Sequence, residues 1–139
     1  MDARERFQKV VVPNYNRFVA SPKDFSLLDN LICSMNTMAE YLGLQRLNYP
    51  PHVSRNKRRE EAQAIRDDNL LTDVQRCADV IKHVRNEVEQ DGIKSTLSST
   101  GIDTADPTTW KVGELNLVQV AHSAFETLKA HPQLNEPST

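Results

Sequence analysis

The segment from Ser21 to Gly43, SPKDFSLLDNLICSMNTMAEYLG, limits the fold more than any other. Its Leu27, Leu28, Leu31, Ile32, Met35, Met38, Ala39 and Leu42 fall within an arc of roughly 140° when successive residues are turned by 100°. A strand would send neighbouring side chains to opposite faces, so this spacing belongs to a helix. An arc this broad is expected of a helix that touches two neighbours and lies centrally. Ser21 is the expected N-cap, with Pro22 at the first helical position and Asp24 at the third. Gly43 is the expected left-handed terminator.

The same period runs through the rest of the chain. In residues 2–21, Asp2 and Glu5 match a capping box. Phe7, Val11, Tyr15 and Phe18 share a face, and Pro13 inside it predicts a kink near Val12. Residues 44–54 read as loop, since Tyr49 and Pro50 each precede a proline and are pushed to extended geometry. A polar helix is expected from near Ser54 to Arg66. The next apolar helix is expected from about Asp68 to Glu89, either continuous with the polar one or freshly capped at Asp67–Asn69. In it, Leu70, Val74, Cys77, Ile81, Val84 and Val88 form a stripe about 80° wide. Residues 90–112 have loop composition, and GIKSTLS within them is compatible with a short hairpin arm. Asp106-Pro107, or the residues just before Glu114, are the expected cap of a last helix from about Glu114 to Ala130. Its face is Leu117, Val118, Ala121, Ala124, Phe125 and Leu128, and residues 131–139 read as a frayed tail. The expected architecture is all-α: one domain over residues 1–139, an up-and-down bundle of about four main helices with the first one kinked.

The chain has 139 residues and a formal net charge of −2. One domain fits that length, and the charge argues against bulk affinity for duplex nucleic acid. The two cysteines, Cys33 and Cys77, form no C-x-x-C pair. They read as free thiols in a reducing compartment, so a cytoplasmic location is expected. No run approaches about 18 consecutive apolar residues, so no membrane contact is expected. Four glycines leave few places for tight hairpins.

Chemistry is sought first in DVQRCADVIKHVRN, residues 73–86. Arg76 and His83 are separated by about 700° of helix, so their side chains nearly eclipse each other away from the apolar stripe. Asp79, Val80 and Glu87 share that flank. This arginine–histidine spacing resembles the Arg-x(4–6)-His signature of the HEPN superfamily of small helical-bundle proteins. The order of elements resembles that family as well: two amphipathic helices, a polar connector, a helix bearing Lys82-His83, a polar loop and a closing helix. The resemblance implies a homodimer in which two motifs meet across the interface. It also implies metal-independent RNA cleavage of the kind used in phage defence or toxin–antitoxin systems. His83 would then act as general acid or base and Arg76 would stabilise charge on the phosphate, with Asp79 orienting His83 or neutralising Arg76. Active members generally carry a polar residue after the arginine, whereas Cys77 stands here in the core stripe. The other reading is therefore a non-catalytic bundle that binds a partner protein, with Arg76, Asp79 and His83 as a surface charge network.

The run Arg55, Lys57, Arg58 and Arg59 is a second candidate, as a contact for RNA phosphates. Glu60 and Glu61 follow at once, so a self-paired, solvated helix face is the competing reading. For a metal, His83 with Asp79 or Glu87, and His122 with Glu126, stand at i,i+4, but the carboxylate set of helical-bundle metal sites is incomplete. His122 is instead expected as a partly buried structural residue. No phosphate-cradling glycine loop, dinucleotide fingerprint or nucleophile elbow occurs, and no cofactor is expected.

Overall fold

The computed structural model describes residues 2–48, 52–69, 71–91 (side chains to residue 86) and 100–135. It is an all-α bundle carrying one small β-ribbon. At the N-terminus α1 (Ala3–Arg6) and α2 (Val12–Ala20) are joined by a π-helical turn, Phe7–Val11. Asp2 caps α1 by accepting from the Glu5 amide at 2.8 Å. Pro13 has no N–H, which leaves the ladder one donor short and crowds the preceding turn. The chain answers with the wider turn: the Val12 N–H reaches back to the Phe7 carbonyl, five residues away.

Helix α3 (Phe25–Arg46) is the centre of the molecule and packs against α1, α2, α4, α5 and α6. Leu28, Leu31, Ile32, Met35, Met38, Ala39 and Leu42 are all buried in the core, and Leu27 packs against it. Its two ends differ from the expectation. The N-cap is Asp24, whose carboxylate accepts from the Ser26 amide at 3.0 Å, so Ser21 and Pro22 belong to the turn that enters the helix. Gly43 lies inside the helix and is buried. A Cβ at this position would stand 3.0 Å from Glu61 Cβ, so the glycine serves the close approach of α4. The left-handed residue comes later, at Asn48 (φ 59°).

Helix α4 (Arg55–Asp68) starts at Ser54, whose hydroxyl accepts from the Lys57 amide at 3.1 Å. It ends at Asn69, which donates its amide to the Ile65 carbonyl at 2.8 Å. Helix α5 (Thr72–Asp91) is therefore separate from α4 and begins after the residues expected to cap it. Val74, Cys77, Ile81 and Val84 form its buried stripe. Leu70 and the side chains of Glu87 and Val88 fall outside the described residues, as does the whole of the GIKSTLS arm.

Residues 100–116 do more than connect. Ile102 and Trp110 are fully buried. Trp110 donates its indole N–H to the Asp103 carbonyl at 2.9 Å and meets Phe25 edge-on, 5.2 Å between ring centres. Asp106 caps the single 3-10 turn Pro107–Thr109, not the last helix. Strands β1 (Lys111–Val112) and β2 (Leu115–Asn116) then pair antiparallel across a two-residue turn in which Gly113 has φ 59°. That turn conformation suits glycine. Helix α6 (Leu117–Lys129) is capped by Asn116, whose side chain accepts from the Val118 and Gln119 amides. Residues 131–135, expected to fray, form instead a last turn, α7 (Pro132–Asn135), against α1 and α6 with Leu134 buried. No helix among the described residues is long and apolar enough to cross a membrane.

Candidate functional site: the outer shoulder of helix α5

The buried stripe fixes which face of α5 meets the core, and it leaves Arg76, Asp79, Lys82 and His83 exposed. Arg76 and His83 thus stand on one outward shoulder of an unbroken helix, as their spacing predicts. Val80, the apolar residue between them, packs against the edge of the core. The hairpin supports this shoulder from one side. A Cβ on Gly113 would lie 3.2 Å from Arg76 Nη2, so the guanidinium rests against the β1–β2 turn at a residue that has no side chain.

Asp79 has a second claim on it. Arg66, near the end of α4, is buried. Its Nε donates to Asn36 Oδ1 at 2.9 Å and its Nη2 to the Asn36 carbonyl at 3.1 Å. Burial lowers the pKa of Arg66, while the charges of Glu40 and Asp79 act to raise it. Asp79 therefore belongs at least in part to the electrostatics that hold a buried cation between three helices. Cys77, the residue after Arg76, is fully buried. Burial, with a smaller contribution from Asp73, pushes its thiol up to about 11, so it stays protonated at neutral pH.

The basic run lies on the first turns of α4, and Arg55, Lys57, Arg58 and Arg59 are all exposed. Lys57 pairs with Glu61 at 3.2 Å, the self-pairing that its spacing suggested. No group of three or more His, Cys, Asp or Glu side chains among the described residues is placed to hold a metal ion. His122 is exposed, not partly buried, and its Nδ1 lies 3.0 Å from the Tyr15 hydroxyl. It closes an aromatic cluster in which Tyr15 stacks on Phe125 at 3.7 Å, a contact between α2 and α6 that the sequence did not announce.

A cleft of about 250 Å³ lies between α5, β2 and α6, with Asp73, Glu114, Asn116 and Gln119 in its walls. Neither Arg76 nor His83 lines it. Arg76 and His83 stand exposed on the outer face of α5, which suits a surface completed by another molecule. No family model, curated protein or solved structure matches this chain.

Proposed function

We propose that the chain is a HEPN-like helical-bundle protein that acts on RNA as a homodimer through the α5 shoulder. The observation that carries this reading is the exposure of Arg76 and His83 together on one face of one continuous helix, with the apolar stripe turned fully inward. Two such shoulders brought side by side would present a cleft lined by two guanidinium and two imidazole groups. In that cleft one His83 removes the proton from a ribose 2′-hydroxyl as its oxygen attacks the adjacent phosphorus. The bond to the 5′-oxygen breaks, and the other His83 returns a proton to that leaving oxygen. Arg76 stabilises the charge on the non-bridging phosphate oxygens. The nucleophile is within the substrate. The exposed Arg55, Arg58 and Arg59 on α4 add positive charge for the RNA backbone.

The test is cleavage of single-stranded RNA in the presence of a chelator, read beside oligomeric state. Cleavage by a dimer is expected to fall by about 10²–10⁴-fold in His83→Ala, the usual worth of a general acid or base, with the helical circular dichroism unchanged. A dimer that leaves RNA intact would sink the catalytic reading.

A second reading has its own support. Cys77 is buried and protonated where active members of that superfamily carry a polar group, and the charge of Asp79 also acts on Arg66. Those features favour a non-catalytic module that uses the same shoulder to bind a partner protein. A partner whose affinity falls in both Arg76→Ala and His83→Ala, without any cleavage, would establish it.

A further inference from the structure

Arg85 stands about 180° around α5 from Arg76 and lines a polar groove of about 510 Å³ that is separate from the shoulder. Arg6 and Asn14 from the N-terminal helices and Asn30 and Thr37 from α3 also line it. The groove's carboxylate, Asp29, is already taken. Arg85 donates to it from both Nε and Nη2, and the Cys33 thiol donates to Asp29 Oδ1 at 3.2 Å. Burial, then the neighbouring Asp29, push the Cys33 thiol up to about 11, so it adds no charge at neutral pH. Arg85 and Asp29 cancel, and what remains is the positive charge of Arg6.

Arg6 makes no ion pair among the described residues. Its guanidinium stacks on the Tyr41 ring, 4.7 Å from the centroid, which fixes the plane of the fork. Its Nε is sealed from solvent without a hydrogen-bond acceptor. A guanidinium that has given up water at one nitrogen and gained no acceptor is held at a cost. Its remaining N–H groups are the stronger for standing in a partly desolvated place. Asn14 accepts from Arg17 Nη1 at 3.2 Å through its oxygen, which leaves its NH₂ to donate. A cation would find no unpaired carboxylate in this groove, and an apolar ligand would strand its polar walls.

We propose that this groove is a binding site for a small oxyanion, a phosphoryl or carboxylate group, received by the Arg6 guanidinium and the side-chain amides of Asn14 and Asn30. The site stands apart from the RNA reading and does not depend on it.

The test titrates the full chain with inorganic phosphate and, separately, with acetate, at ionic strength matched with chloride. Calorimetry and thermal unfolding are followed together. Saturable heat and a saturable rise in midpoint are expected for at least one of the two, and the one that titrates identifies the group. Arg6→Gln is expected to weaken binding by about tenfold or more, the worth of a hydrogen bond from a charged donor. Because that change also disturbs the Tyr41 contact, Asn30→Ala provides a second reading. Asn30 is exposed, so its loss leaves the core alone and is expected to weaken binding by several-fold. Lys111→Gln, on the hairpin, is expected to leave the titration unchanged. The proposal is overturned if neither anion titrates beyond the chloride control, or if both Arg6→Gln and Asn30→Ala bind as the wild type does.

Discussion

Replacing Arg66 with methionine asks what a buried cation contributes where α3, α4 and α5 meet. The arginine is 8% exposed and gives two hydrogen bonds to Asn36, at 2.9 and 3.1 Å. Bonds from a charged donor are worth about 1.5 kcal/mol each in net stability, so losing both removes about 3 kcal/mol. Methionine keeps most of the apolar stem and no longer has to desolvate a charge, which offsets part of the loss. The exposed carboxylate of Asp79 adds only tenths of a kcal/mol across solvent. The expected net effect of Arg66→Met is a loss of about 2 kcal/mol, or about 6 °C in midpoint for a chain of this size. Urea unfolding followed by circular dichroism measures it, and the midpoint should fall while the slope stays constant. Equal or higher stability of Arg66→Met would refute the reasoning. The guanidinium would then be a net burden, and the charge of Asp79 would have no buried cation to favour.

Three further outcomes follow from the same geometry. Gly43→Ala gains about 1 kcal/mol of helix propensity, but its Cβ meets Glu61 Cβ at 3.0 Å and the Glu61 carbonyl carbon at 3.2 Å. Overpacking of that kind costs about 1–3 kcal/mol, so a net loss of about 1 kcal/mol is expected in chemical unfolding, and a gain would contradict the close approach of α3 and α4. Asn116→Ala leaves the Val118 and Gln119 amides uncapped and is expected to lower stability by about 1 kcal/mol, whereas Asn116→Ser should recover most of it. Burial holds the Cys77 thiol up at about 11, against an ordinary value of 9.0. Its protonated form is therefore favoured by folding; that contribution is complete below pH 9 and disappears as pH rises from 9 through about 11. The stability difference between wild type and Cys77→Ala should narrow over that window, and alkylation of Cys77 at pH 8 should be slow until urea is added.

The parts of the fold that were legible in the sequence are those decided by long apolar periodicity. The arc on α3 and the stripe on α5 each settle a buried face over several turns, and Ser54 announces the start of α4 because its cap needs only local geometry. What was misread depends on contacts distant in sequence. Gly43 has the chemistry of a helix terminator, and only the approach of Glu61 shows that it sits mid-helix. Ser21 and Asp24 are both good caps, and local pattern does not choose between them. Trp110 and Ile102 lie in a stretch whose composition is that of a loop; the signal available was Trp110 itself, a large apolar side chain that rarely stands alone in polar sequence. For the candidate site, the shared shoulder of Arg76 and His83 followed from helix arithmetic. The influence of the Asp79 charge on Arg66 and the approach of Arg76 to Gly113 did not, since each relates α5 to a different element.

The widened turn at Phe7–Val11 amounts to one residue spliced into an otherwise regular helix, and it sets the phase between the two halves. In an unbroken α-helix, Phe7 and Tyr15 would diverge by about 80° around the axis. Underwinding narrows that angle, and both rings reach the same aromatic partner, Phe125, at 5.7 and 3.7 Å. Excising a single solvent-facing residue such as Gln8 would leave seven residues from one ring to the other, about 700° of regular winding and within about 20° of two full turns, so a plain helix would then keep both rings docked on α6, where the native length keeps them only by way of the wide turn.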